Sequence, residues 1–255
     1  MFSFLENNKD HGKWEKAMRE LSQSFMKDLL APDGVLNPIL TRVQKDHTLM
    51  LAIRDGFINI YYRGGNILRV KEHNKDLYQA FFDDQYNKCE SKLTGAPETI
   101  TSQADAVDWV ASFPERKSIM DVYFAKYGKA EREFQQLVAR ENNFSSISNE
   151  SEYFISDIEV TSVDPGARFD ILAVRWPASK RKSGDHCRLA LMEMKYGDGA
   201  LGGSAGLLKH LQDMDSFIAN TKGYASLLCT IEKQFNQLDE LGLLKFNKGK
   251  SDARV

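Results

Sequence analysis

Two apolar runs, RFDILAV (168–174) and LALMEMKYG (189–197), constrain the fold more than any other feature of the chain. Both are rich in the residues that fill pleated, half-buried surfaces, yet the second carries Glu193 and Lys195 among Leu, Met and Ala. Side chains two apart on a strand share a face, so Leu189, Leu191, Glu193 and Lys195 line one side. Asp170 shares its face with Leu172 and Val174 in the same way. A third run, EYFISDIEVTSV (152–163), comes first, and DPG and ASKRKSGDH join the three into an expected antiparallel meander.

Helical patterns flank this meander. KAEREFQQLVARENN (129–143) precedes it, with Ala130, Phe134, Leu137 and Val138 as the apolar stripe. AGLLKHLQDMDSFIAN (205–220) and LLCTIEKQFNQLDELGLL (227–244) follow it, and residues 104–143 read as mostly helical with breaks near Pro114 and Gly128. Helix, three strands, then helices make a mixed α/β layer fold. No strand follows the last helix, so the chain reads as a piece of something longer.

The first hundred residues have a different texture. A helix is expected over 13–30, ended by APDGVLNP. LMLAI, FINIYY and NILRV, separated by Arg-Asp-Gly and Arg-Gly-Gly, predict a small antiparallel meander over 49–70. Tyr78, Phe81, Phe82 and Tyr86 suggest a short helix behind it, and the polar stretch 91–103 reads as a linker. Two units follow: an N-terminal α+β region (1–103) and a core (104–255).

Composition narrows the function classes. Charged residues make up 27% and hydrophobic ones 42%, as in a globular protein, and 34 basic against 36 acidic residues give no global attraction to nucleic acid. Attraction of that kind has to come from a local patch. No stretch is long and apolar enough to span a membrane, and the polar N-terminus lacks a signal peptide's apolar segment. Cys89, Cys187 and Cys229 are widely spaced and form no CxxC pair, which suits a reduced, cytoplasmic protein.

Neighbouring strands lie about 4.8 Å apart, so pairing of the two acid-bearing runs would bring Asp170 and Glu193 to one rim. Two carboxylates at about 4 Å repel by roughly 4 kcal/mol at an effective dielectric near 20. A cation or a shared proton relieves such crowding, and hard oxygen donors suit Mg²⁺ or Mn²⁺. Lys195 beside them can orient water or balance charge on an attacked phosphate.

Asp170, followed after 22 residues by Glu193-Met194-Lys195, resembles the PD-(D/E)XK nuclease superfamily, whose restriction-endonuclease-like core runs helix, three-stranded meander, helix, strand. The resemblance covers roughly residues 121–255, with Phe169 where the family pattern has proline. It implies a metal site of Asp170, Glu193 and the Met194 carbonyl, with Lys195 assisting the attacking water. It also implies a glutamate from the preceding helix, for which AEREF offers Glu131 and, closer to the apolar stripe, Glu133. The function expected is Mg²⁺-dependent cleavage of nucleic acid, DNA above all, and cutting both strands calls for a homodimer. A catalytically silent module of the same fold, binding nucleic acid or protein, is the alternative.

Substrate contacts are expected from the basic hairpin tip, Lys180, Arg181 and Lys182, and from Lys209, His210 and Gln212 at the start of the next helix. GDGALG (Gly197, Gly199, Gly202) matches a dinucleotide fingerprint literally, but a strand carrying Glu193 and Lys195 is not the all-apolar first strand of that fold. Asp157 and Glu159 share a face of the first strand as outlying acids. Tyr61, Tyr62 and Arg63 are either core and turn or a base-stacking surface.

Overall fold

The computed structural model describes residues 19–74, 76–88, 92–93, 95–161, 168–182, 185–196 and 206–255. It is a mixed α/β protein with two antiparallel sheets. Helices α1 (Gln23–Leu30) and α2 (Asn37–Lys45) lead into β1 (Leu49–Ile53), β2 (Phe57–Tyr62), β3 (Gly65–Asn74), β4 (Leu77–Phe81) and β5 (Thr99–Ile100). These five strands form the first sheet in sequence order. Helices α3 (Gln103–Lys126) and α4 (Ala130–Phe144) connect it to β6 (Tyr153–Thr161), β7 (Arg168–Arg175) and β8 (Arg188–Met192), the second sheet. Helices α5 (Leu207–Ala219) and α6 (Thr221–Glu240) follow.

The expected three-strand meander is the start of a larger sheet. Its β2–β3 turn is Arg63-Gly64, both with positive φ (50° and 74°), the two-residue hairpin that suits the right-handed twist of paired strands. Residues 78–86 are not a helix. Tyr78 and Ala80 are buried while Gln79 and Phe81 are exposed, the alternation of a strand, and only Asp84–Tyr86 make a 3-10 turn. The segment expected as a linker supplies β5 and then Ser102, whose side chain caps α3 in a reciprocal box with Asp105.

Helix α3 runs through Pro114 without a break. Pro114 is exposed, so water can satisfy the carbonyl that its missing N–H leaves free. Trp109, Phe113 and Met120 anchor the helix in the core meanwhile. The break near Gly128 is present, between α3 and α4.

One apolar core joins the two sheets. Helix α6 contributes Ile231, Phe235 and Leu238 to it, and Gln234 Nε2 donates to the Ile53 carbonyl at 2.9 Å. The seam between the sheets is sealed by Asp157 of β6, which accepts from Arg54, from Arg19 at 2.5 Å and from Gln234 at 3.1 Å. Near the C-terminus Arg254 forms a single parallel bridge to His186, with Cys187 N–H donating to its carbonyl at 2.6 Å. Among the described residues no helix is long and apolar enough to cross a membrane.

Candidate active site

The β7–β8 ladder decides what the acids can do. Its last pair is Ile171 with Met192, so Asp170 and Glu193 are the next residues along, just past the paired rungs. Strand β8 stops there, earlier than the apolar run suggested, and the backbone turns: Met194 N–H donates to Asp170 Oδ2 at 2.9 Å. The contact holds the two acid-bearing segments together beyond the ladder.

Both carboxylates are nearly out of water. Asp170 is 6% exposed and the Glu193 side chain 4%. The oxygens of Glu193 have unequal surroundings. Oε1 accepts from Lys195 Nζ at 2.5 Å and faces His210 Nε2 at 3.2 Å, whereas Oε2 is buried with no hydrogen-bond partner among the described residues. Burial and the charge on Asp170 together raise the Glu193 pKa against the pull of Lys195 and His210. Burial alone would lower the Lys195 pKa, but the Glu193 hydrogen bond and the charges of Glu193, Asp170 and Glu131 outweigh it and raise it. Lys195 is therefore a cation at neutral pH.

An orphaned buried carboxylate oxygen beside a second carboxylate is where a divalent cation fits. Among the described residues no cage of three His, Cys, Asp or Glu side chains surrounds the spot. Two carboxylates with open positions suit Mg²⁺ nonetheless, because that ion keeps several waters and takes only one or two protein carboxylates. Asp170, Glu193 Oε2 and the adjacent Met194 backbone would hold it.

The other expected residues divide. His210, in the first turn of α5, joins the site through Glu193. Lys209 is drawn to Asp213 one turn along its own helix, and Gln212 is exposed. Glu133 is taken up by Arg63, whose Nε donates to it at 2.9 Å while Nη1 donates to Asp121 at 2.9 Å. Its neighbour Glu131 is the helix carboxylate whose charge reaches Lys195. The choice of Glu133 assumed that α4 buries Phe134 and Leu137, but these are 42% and 43% exposed, and Gln135, Gln136 and Ala139 face inward. Gln136 accepts from Gly64 N–H at 2.7 Å and donates to the Thr48 carbonyl at 2.9 Å, so its buried amide satisfies backbone at the strand ends. Phe134 instead stacks on Tyr196, ring centroids 5.1 Å apart, at the surface beside Lys195.

The basic hairpin tip lies at the opposite end of β7 from Asp170. From Asp170 to Arg175 is five strand steps, about 17 Å, and the connection to β8 begins beyond that. Arg181 is also buried, donating to the carbonyls of Trp176 and Asn149 at 3.0 and 2.8 Å and to that of Ser151, which leaves Lys180 and Lys182 at the surface. The basic groups near the acids are different ones. Arg168 and Arg132 both donate to Glu159 Oε2, at 2.7 and 3.0 Å, and Arg168 lies within the field of Asp170. Arg168 was legible as a residue two before Asp170; Arg132 had no signal of its own. Gly197, Gly199, Gly202 and Gly203 of the Gly-rich loop lie outside the described residues, while Gly206 caps α5.

A scan of family models, a search of curated proteins and a search of solved structures each find no match to this chain. The reading of the site rests on its residues.

Proposed function

We propose that the protein is a Mg²⁺-dependent phosphodiesterase acting on DNA, with Asp170, Glu193 and Lys195 at its centre and a restriction-endonuclease-like core formed by α4, β6–β8, α5 and α6. The observation that carries this reading is the asymmetry of Glu193: Oε1 is held by Lys195, and Oε2 is buried, without a hydrogen-bond partner among the described residues, and within the field of a second acid. Structural carboxylates are normally satisfied on both oxygens. The order helix, three antiparallel strands, helices supports the same reading.

Each residue then has a task in the hydrolysis, in which water adds to phosphorus, the bond to the leaving sugar oxygen breaks, and one proton is released. Asp170 and Glu193 would hold a divalent cation, which would supply positive charge to the phosphate and make water a better nucleophile. The Met194 N–H keeps Asp170 in place. Lys195, anchored on Glu193, presents its ammonium to the attacking water and to the charge that builds on the phosphate. His210 helps to orient the same Glu193 oxygen.

Plasmid and linear DNA incubated with Mg²⁺, Mn²⁺ or EDTA test the proposal. Cleavage with either metal, abolished by EDTA and sharply slowed by Lys195→Ala, is expected. Cleavage that Lys195→Ala leaves at the wild-type rate overturns the assigned role, and metal-independent DNA binding without cleavage favours the silent module.

A further inference from the structure

Beside the acids, a cleft of about 370 Å³ opens between the β2–β3 turn and the ends of β6 and β7, lined by Tyr61, Gly64, Arg132, Ile158, Glu159 and Arg168. We propose that this cleft grips a backbone phosphate of the nucleic acid next to the one being cut, with Arg132, Arg168 and Tyr61 as the donors. The inference rests on the nuclease reading of the same rim.

Charge is the first support. Arg132 and Arg168 share one carboxylate, and both donate to the same oxygen, Oε2 of Glu159. Two cations thus face the single carboxylate of the cleft lining, Glu159, while Asp170 and Glu131 act on Arg168 from outside it. The side chains of Arg132 and Arg168 are 39% and 58% exposed, and each uses only its Nη2 on Glu159, so further N–H groups point elsewhere. Burial pushes the Glu159 pKa up, but Arg168 and Arg132 outweigh it and hold it low, so the bridging charge persists at neutral pH. A guanidinium with free donors suits a phosphate oxygen pair.

Tyr61 is the second support. Its hydroxyl oxygen accepts from Arg54 Nη2 and from Asn59 Nδ2, both at 3.0 Å. With both lone pairs engaged, the remaining function of that hydroxyl is to donate, and among the described residues its proton has no acceptor. An oxyanion in the cleft would supply one.

The third support is rigidity. Glu159 sits at φ 52°, a costly backbone state for a glutamate in a strand, and such states concentrate where a side chain must be aimed. Gly64 abuts the Arg132 backbone so closely that a Cβ there would lie 2.7 Å from its carbonyl carbon. The wall carrying Arg132 is thereby locked to the first sheet. Arg168 is two residues from Asp170, about 7 Å along the strand, close to the spacing of successive phosphates.

The test is binding of a labelled duplex oligonucleotide, read by fluorescence anisotropy in EDTA between 50 and 200 mM salt, so that no cleavage intervenes. Each phosphate contact contributes about 0.9 to the slope of log affinity against log salt. Arg132→Gln and Arg168→Gln are each expected to lower that slope by about one, and Arg168→Lys to keep it. Glu159→Gln, which frees both guanidinium groups, is expected to tighten binding. The Lys180→Ala/Lys182→Ala pair is expected to change neither affinity nor slope. Unchanged slopes in both Arg→Gln variants, weaker binding by Glu159→Gln, or no binding by the wild type overturn the cleft. DNA cleavage with unchanged slopes would remove the cleft and leave the catalytic reading standing. Arginine-dependent binding with cleavage that Lys195→Ala leaves at the wild-type rate would do the reverse. Excess inorganic phosphate is expected to compete only weakly, and competition as strong as that of DNA would overturn the polynucleotide as occupant.

Discussion

Asp157 lies within strand β6 and Glu193 just past the end of β8 in the same sheet; their side chains are 0% and 4% exposed, but their surroundings are opposite. At the seam, Asp157 has both oxygens occupied, by Arg54 on one side and by Arg19 and Gln234 on the other. At the rim, Glu193 has one oxygen occupied, the other without a partner among the described residues, and a second acid nearby. Burial alone therefore does not separate a structural carboxylate from a functional one. For these two acids the free lone pairs make the difference, because a buried carboxylate oxygen with nothing to accept from costs stability that a bound cation or water returns.

The strongest way to break this comparison is to remove the seam carboxylate. Asp157→Ala strands the buried Arg54 and the half-buried Arg19 and is expected to cost about 3–5 kcal/mol. For a chain of this size, that lowers Tm by about 6–20 °C in a thermal melt. A drop of a degree or two would mean that the seam is not the structural half of the pair.

Next in size is the rim amine. Lys195→Ala is expected to lower the cleavage rate by about 10²–10³-fold, as loss of one charge-stabilising donor does elsewhere. Its Tm should move far less than that of Asp157→Ala. If the melt shifts as much as the rate, Lys195 is a structural partner of Glu193.

Glu193→Gln sharpens the contrast, since here the stability should go the other way. Removing the repulsion from Asp170 is expected to raise Tm in divalent-free buffer by about 1 kcal/mol equivalent while cleavage is lost. The pH dependence has a definite sign. Because the folded-state pKa of Glu193 is raised, its proton-linked stabilisation is complete below the unfolded value of about 4.3 and fades as pH rises through the folded one. Urea midpoints should show that component in the wild type and lack it in Glu193→Gln. Added Mg²⁺ should stabilise only the wild type.

The smallest expected effect belongs to a satisfied acid of the first sheet's surroundings. Burial would raise the Asp46 pKa, but hydrogen bonds from Lys117 and Thr48 overcome it and hold it well below the usual carboxylate range. Its contribution is present above about pH 4 and lost as pH falls toward its depressed value. Asp46→Asn should cost about 1 kcal/mol at neutral pH and flatten acid unfolding in that window. Acid titrations of the Asp46 and Glu193 variants should thus bend in opposite directions.

How much of this was legible depended on the range of the interaction. The β7–β8 register followed from period two and one connection, so Asp170 and Glu193 could be matched by counting. The 78–86 segment misled because Tyr78, Phe81, Phe82 and Tyr86 fall at helical spacing, while the strand's own signal, buried Tyr78 and Ala80, was only two residues long. Helix α4 misled for another reason. Strand-end backbone groups from another part of the chain drew Gln136 inward, and Phe134 turned outward onto Tyr196. That choice of face also moved Glu133 onto Arg63 and brought Glu131 toward Lys195.

From the amino acids alone came the local and periodic features: the turns, the alternating strands, the pair of acids on one hairpin and the lysine behind them. These depend on neighbours within a few residues or across one turn. The tertiary structure alone decided which charges were consumed. Arg181 was spent on carbonyls, Arg54 on Asp157, and Arg132 and Arg168 were left facing a cleft. A side chain's electrostatic role depends on every group that packs against it, and those groups come from distant positions in the chain.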